Sequence, residues 1–268
     1  MPIVHELLHV AIAAVEAADR VSLGHFSSGG LLASHKTDGS AVTEGDLAVE
    51  DVIRTTLERL APGVPVLAEE ATTGGGQPPI SADCWVVDPI DGTENFSRGT
   101  PVWATLLALR SSGVAALAVV SAPALQRRWT AAVGQGAYAG EQRLSVSALT
   151  TRESATLAYG GLHEMPSPES RTSLLAAASQ FRCAWGWGNF WGHVLVAEGA
   201  VDAALSHGTE VWDTMAPALL VSEAGGRWSD LGGRPLYDSG SLLTSNGVLH
   251  DRLVGDLREP AVVCEGAS

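Results

Sequence analysis

Basic residues are scarce in this chain: 16 Lys+Arg stand against 30 Asp+Glu, a formal charge of -14 over 268 residues. A surface so short of cations is a poor match for a phosphate backbone, so nucleic acid is not expected as a partner. Most of the acids read as a solvated surface. Cysteine is nearly as rare. Cys84, Cys183 and Cys264 are widely spaced and form no C-x-x-C pair, which argues against a disulfide framework and for a reducing cytoplasm. Cys84 and Cys183 lie in apolar surroundings and read as small core residues. No run approaches the roughly 20 apolar residues that cross a bilayer. The N-terminus lacks a basic region followed by an apolar block, so neither a membrane nor a signal peptide is expected. No fixed-period repeat is present. What remains is a globular composition, 46% hydrophobic and 17% charged, long enough for one large domain or two small ones without a disulfide or metal staple.

The stretch that organises the chain is Trp85-Val86-Val87-Asp88-Pro89-Ile90-Asp91-Gly92-Thr93-Glu94-Asn95-Phe96. An apolar run ending in two acids, a proline and a glycine reads as a strand that delivers Asp88 and Asp91 to its end. Acids this close together on a sharp turn share one small volume, and a cation between them resolves their repulsion. Gly92-Thr93 opens a short helix whose free N–H groups suit an anion.

Around this stretch the periodicities place further elements. A helix runs from His5 to about Phe26, its apolar face carrying Leu7, Leu8, Ala11, Ala14, Val15 and Ala18. His35–Ser40 is a polar turn. A second helix opens at Thr43, with Asp46 completing a capping box; the alternative for Asp46 is an outer carboxylate of a metal site. Val64–Ala68 is a short strand ending in Glu69-Glu70, and if it lies beside the Trp85 strand, Glu69 and Asp88 meet at one sheet edge. Thr72–Pro79 is a flexible loop. Pro101–Leu109 with Val114–Val120, and Arg128–Val133 with Ala137–Ala139, read as hairpins of a largely antiparallel sheet. Leu144–Ser147 reads as one more strand. A composition shift near residue 145 suggests two parts, 1–145 carrying most of the acids and 146–268 alternating strand and helix. In the second part strands are expected at Leu157–Gly160, Arg182–Trp185, Val201–Leu205 and Leu242–Thr244. Helices are expected at Glu169–Gln180, Trp191–Glu198, Trp212–Glu223 and Val248–Leu257.

Asp213 falls in the first turn of its helix, where a carboxylate suits the helix dipole and could equally serve as a metal ligand. The acids available are then Glu69, Asp88, Asp91 and Asp213, with the Ile90 carbonyl. An all-oxygen set of this kind selects a hard cation such as Mg²⁺ over Zn²⁺. Two ions bridged by Asp88 would bind a phosphate, activate water and stabilise the leaving oxygen.

The segment W-V-V-D-P-I-D-G-T-E-N-F, with W-D-T-M-A-P-A-L-L-V-S-E-A-G-G at residues 212–226, resembles the two signatures of the inositol monophosphatase family of Mg²⁺-dependent, lithium-sensitive phosphatases. Leu67-Ala68-Glu69-Glu70 is similar to its acidic pair, with Ala68 where glycine is usual. Lys36, Val42-Thr43-Glu44 and Asp46 resemble its N-terminal element. The resemblance covers about residues 5–257 and implies an α/β (α+β) fold, a layered α-β-α-β-α sandwich with a mainly antiparallel N-terminal sheet and a smaller mixed C-terminal sheet.

The resemblance also implies metal ligation by Glu69, Asp88, the Ile90 carbonyl, Asp91 and Asp213. Two or three Mg²⁺ ions are expected, with Mn²⁺ as a substitute. Glu69, Thr93 and Asp46 take catalytic roles in orienting water, and Asp91-Gly92-Thr93 holds the phosphate. Hydrolysis of a small-molecule phosphate ester would be direct, without a phosphoenzyme, in a homodimer.

Within the family, Pro101–Ala104, Ser121–Trp129 and Leu195–Asp202 most resemble the actinobacterial-type histidinol-phosphate phosphatases. Two positions depart: Asn189 stands where that subgroup has aspartate, and Ser206, seven before Asp213, stands where the family usually has glutamate. An amine is best held by carboxylates, so Asn189, Ser206 and Trp187, with Asp213 beside them, suit a neutral sugar or polyol (mono- or bis)phosphate. Trp185, Trp191, His193 and His207 lie nearby in sequence. Histidinol phosphate is the alternative. A catalytically silent binding or regulatory homologue would need a broken ligand set, and every expected ligand is present.

Overall fold

The computed structural model describes residues 2–27, 34–35, 41–70 and 83–258. The Lys36–Ser40 part of the expected turn and the Thr72–Pro79 loop lie outside them. Helix α1 (Pro2–Ser27) is followed by two short paired strands, β1 (Ser34–His35) and β2 (Ala41–Val42), and by helix α2 (Glu44–Leu60). Thr43 and Asp46 form the expected capping box at the start of α2.

Seven strands then build a sheet in chain order: β3 (Val66–Ala68), β4 (Cys84–Asp91), β5 (Ala104–Ser111), β6 (Val114–Ala122), β7 (Arg127–Ala132), β8 (Gly136–Ala139) and β9 (Gln142–Arg143). Every pairing is antiparallel except β3–β4, which is parallel. That pairing brings the end of β3 beside β4, and Glu69 N donates to Val87 O at 3.3 Å. Helix α3 (Thr93–Ser97) follows β4 directly.

The second sheet is mixed and has five strands in the order β11-β10-β12-β14-β13. They are β10 (Thr156–Tyr159), β11 (Cys183–Trp185), β12 (Ala203–Thr209), β13 (Arg227–Ser229) and β14 (Gly240–Ser245). Helices α4 (Pro168–Ala178), α5 (Asn189–Ala197), α6 (Val211–Glu223) and α7 (His250–Arg258) complete the chain.

Side-chain alternation explains the layering. Trp85 and Val87 of β4 face α1 and α2 in one apolar cluster. Cys84 and Val86 point the other way, into a cluster built on α5 and α6 that also takes in Ala158 and Ala204 of the second sheet. Leu174 of α4 and Leu253 of α7 cover that sheet's far face. The order is helix, sheet, helix, sheet, helix, as expected.

Two elements differ from expectation. Leu144–Ser147 is not a strand: Leu144 N still donates to Ala137 O of β8 at 2.8 Å, but Val146 N then turns to Ala224 O at 3.1 Å, a carbonyl at the end of α6. Strand β13, only three residues long, gave no periodic signal. Cys84 is buried, whereas Cys183 is only half-buried.

Candidate active site

Strict alternation would send Asp88 and Asp91 to opposite faces of the sheet, since they are an odd number of residues apart. The register shows how they come together. Asp88 lies opposite Leu106 and Asp91 opposite Ala104, with an irregularity between them. This bulge adds one residue to β4 and turns Asp91 onto the Asp88 face, the same face on which Leu106 and Ala104 join the α5–α6 cluster. Thr105 braces the distortion by donating to the Pro89 carbonyl at 2.9 Å.

Helix α6 brings Asp213 to the same place. One ligand oxygen from each of Asp88, Asp91 and Asp213 lies within 4.8 Å of the others. Asp88 is 2% exposed, while Asp91 and Asp213 are partly exposed at the rim. Backbone donors hold the rim acids in place: Phe190 N, in the first turn of α5, donates to Asp91 Oδ2, and Glu210 N donates to Asp213 Oδ2 at 2.7 Å. Burial, and then the neighbouring acids, push Asp88 and Asp91 well above the usual carboxylate range. Asp213 is pushed up to about 7 by burial and the Glu69 charge, against the lowering pull of its bond from Glu210. Glu69, at the end of β3, contributes to the raised pKa values of Asp46, Asp88, Asp91 and Asp213 through its charge.

Asp46 is a helix cap, the first of the two parts its sequence context left open, and it also reaches the β4–α3 turn. Its Oδ2 accepts from Thr43 N at 2.8 Å as a helix cap. Its Oδ1 lies 3.2 Å from Thr93 Oγ1, which is also 3.0 Å from the Ile90 carbonyl. Thr93 is thereby tied to both sides of the β4–α3 turn. Gly92 is required in that turn on two counts: its φ is +92°, and a Cβ there would stand 2.7 Å from Asn189 Nδ2. Asn189, itself at φ 56°, therefore packs its amide against the Asp91-Gly92-Thr93 turn.

The residues suit a hard divalent cation. Asp88 Oδ1 is buried without a hydrogen-bond partner, a costly arrangement unless something else binds it. The donors around it are all carboxylate oxygens, and their mutual repulsion is what a cation relieves.

An open cleft leads from Asp91 and Asp213. Asp91 and Asp213 line one end, and Asn189, His193, Ser206 and Glu164 line the rest. His193 is buried. Its Nδ1 is 2.8 Å from Thr244 Oγ1 and its Nε2 3.0 Å from Ser206 Oγ. Burial lowers its pKa to about 3, so it stays neutral and Ser206 belongs to a neutral hydrogen-bonded chain. Trp187 does not line the cleft; it stacks on Trp185 with ring centroids 5.5 Å apart. Trp191 packs edge-on to Trp129 and Phe190.

The model of the inositol monophosphatase family matches residues 3–260. The chain belongs to this family. Among relatives of the inositol monophosphatase family, it is 42% identical to a histidinol-phosphatase of Mycobacterium tuberculosis, over 93% of this chain and 97% of that one. It is 38% identical to a histidinol-phosphatase of Streptomyces coelicolor, over 97% and 99%. The solved Thermotoga maritima IMPase superposes with a TM-score of 0.82 at 26% identity, covering 93% of this chain and 96% of that one. The chain is accordingly a phosphoric monoester hydrolase of a metal-dependent family. No helix among its described residues is long and apolar enough to cross a membrane.

Three contributors carry little signal in the sequence. Phe190 acts through its backbone N–H, Thr105 through a carbonyl that only the bulge exposes, and Glu164 from a turn. The one hint for Glu164 is an acid soon after Gly160-Gly161 at a strand end.

Proposed function

We propose that this phosphatase uses Mg²⁺, two or three ions, held by Asp88 as the bridge and by Asp91, Asp213, Glu69 and the Ile90 carbonyl. The observation that carries the reading is the convergence of Asp88, Asp91 and Asp213 within 4.8 Å around a buried, unpartnered Asp88 Oδ1. Held by these residues, Mg²⁺, or Mn²⁺ in its place, would supply charge neutralisation for the phosphate and activation of water. The N–H groups of Gly92 and Thr93 hold the phosphate at the start of α3. Thr93 Oγ1 orients the attacking water and passes its proton toward Asp46 Oδ1, 3.2 Å away. Glu69 orients the same water. A new P–O bond forms as the ester P–O bond breaks, and the alcohol leaves with a proton, without a phosphoenzyme.

For the alcohol, histidinol phosphate is favoured by the two histidinol-phosphatase relatives. A neutral sugar or polyol phosphate is the second reading, favoured by Asn189 and Ser206. Its main support was the loss of acids at those two positions, and Glu164 in the same cleft weakens that support. A comparison of kcat/KM for histidinol phosphate, inositol 1-phosphate and sugar mono- and bisphosphates separates the readings. A strong preference for the bisphosphates or inositol 1-phosphate would reject the first.

We also place the enzyme in the cytoplasm as a homodimer, with a boundary near residue 145 between two subdomains. Light scattering on the purified chain tests the dimer, and separate expression of 1–145 and 146–268 tests the boundary.

A further inference from the structure

The cleft wall opposite the clustered acids carries a carboxylate with no assigned role. Strand β10 ends at Tyr159, and Gly160 N donates to Leu205 O at 2.9 Å, which sets the following turn against the end of β12. Glu164 closes that turn by donating its N–H to Gly161 O at 3.1 Å. Its carboxylate lies over the backbone of Gly160: a Cβ on Gly160 would stand 3.1 Å from Glu164 Oε2 and 3.5 Å from Ser206 Cα. Glycine at 160 thus leaves room for the carboxylate beside Ser206.

Glu164 is 35% exposed at the mouth of the cleft. Its nearest cationic candidate is His163, whose Nε2 is 3.9 Å from Glu164 Oε1 on an imidazole 85% exposed. No Arg or Lys pairs with it among the described residues. The other groups lining this part of the cleft are the amide Asn189, Ser206 bonded to the neutral His193, and His207, whose pKa burial lowers; the acids Asp91 and Asp213 also line the cleft. A ligand that puts its phosphate at the acid centre would reach Glu164 with its alcohol portion. A second phosphate there would meet a like charge, whereas an ammonium would meet an open one.

We propose that Glu164 is the specificity-determining anchor for an ammonium group on the alcohol, supplying from the β10–α4 turn the negative charge that positions 189 and 206 lack. This rests on the phosphatase reading and narrows its substrate to amine-bearing phosphate esters.

The test compares Glu164→Gln and Glu164→Asp with the parent enzyme, Mg²⁺-loaded, on esters paired by charge: glucosamine 6-phosphate against glucose 6-phosphate, and histidinol phosphate against inositol 1-phosphate. The parent should prefer the amine-bearing partner. Glu164→Gln should cut kcat/KM for that partner about tenfold, mainly through KM, and leave the neutral partner within about twofold. Glu164→Asp should recover part of the loss. The proposal is overturned if the parent shows no amine preference, or if the Gln variant loses both partners equally or neither. Calorimetric binding of histidinol, which carries the ammonium and no phosphate, is measured in parallel. Weaker histidinol binding by Glu164→Gln in a protein that hydrolyses none of these esters would support the ammonium site while rejecting the phosphatase reading. Ester hydrolysis with unchanged histidinol binding would do the reverse.

Discussion

The acid centre and the alcohol cleft are neighbours built in opposite ways. In the centre, three of the carboxylates around Asp88 are each tied to a backbone N–H at one oxygen. Asp46 caps α2, Asp213 caps α6, and Asp91 takes the first-turn N–H of α5. The cleft wall draws instead on a turn glutamate, a left-handed asparagine at the start of α5 and a serine in the middle of β12. At Asp46 and Asp213, acids that double as capping-box partners, substitution disturbs both helix and site. Glu164, on a turn, can change without disturbing a helix cap of the acid centre.

The sharpest way to break this contrast is at Asp88. Asp88→Asn removes the bridging charge and should lower kcat by at least about 10³-fold, the loss of several kcal/mol of charge stabilisation. Circular dichroism should be unchanged, because Asp88 caps no helix. Thr93→Val should cost about 10²-fold in kcat with little change in KM, as expected for a group that handles the attacking water's proton.

The third expectation concerns pH. Asp213 holds its proton up to about 7 in the folded chain, against an ordinary value of 3.8. Between those values the folded state keeps a proton that the unfolded chain has released, so rising pH destabilises the metal-free fold through this window. His193, lowered from 6.5 to about 3, acts in the opposite sense below pH 6.5. The difference between the parent and Asp213→Asn therefore isolates the acid centre. Without metal, the parent's Tm should fall relative to the variant's as pH rises from about 5 to about 8, and Mg²⁺ should raise the parent's Tm more than the variant's. The smallest effect is expected at Trp187, which lies off the cleft: Trp187→Ala should change KM by less than about threefold, within the range of a contact that makes no charged bond to the ligand.

The same contrast explains what the sequence makes legible. The acids of β4, the cap of α2, the first-turn acid of α6 and the alternating helices and strands are local patterns, visible as periodicities and a capping box. The layered order of the fold comes from the family resemblance carried by the two signatures. The bulge between Asp88 and Asp91 is a matter of register between two strands, which a single strand's sequence does not display. Asn189 meets Gly92, and Glu164 meets Gly160 and Ser206, only after the second sheet has folded against the first. A reading of positions 189 and 206 alone therefore describes a cleft without acids, while Glu164 lines that cleft from a turn. Leu144–Ser147 differs for a related reason: its alternating pattern suits a strand, but only Leu144 bonds to β8, and Val146 meets the end of α6.

The most direct test of the central claim is inorganic phosphate release by protein stripped of metal with EDTA, measured before and after Mg²⁺ is restored, with the Asp88→Asn variant alongside. The acid centre predicts no release from stripped protein, recovery on Mg²⁺ addition, and no recovery in the variant. Release that survives stripping, or that returns equally in Asp88→Asn, would contradict it.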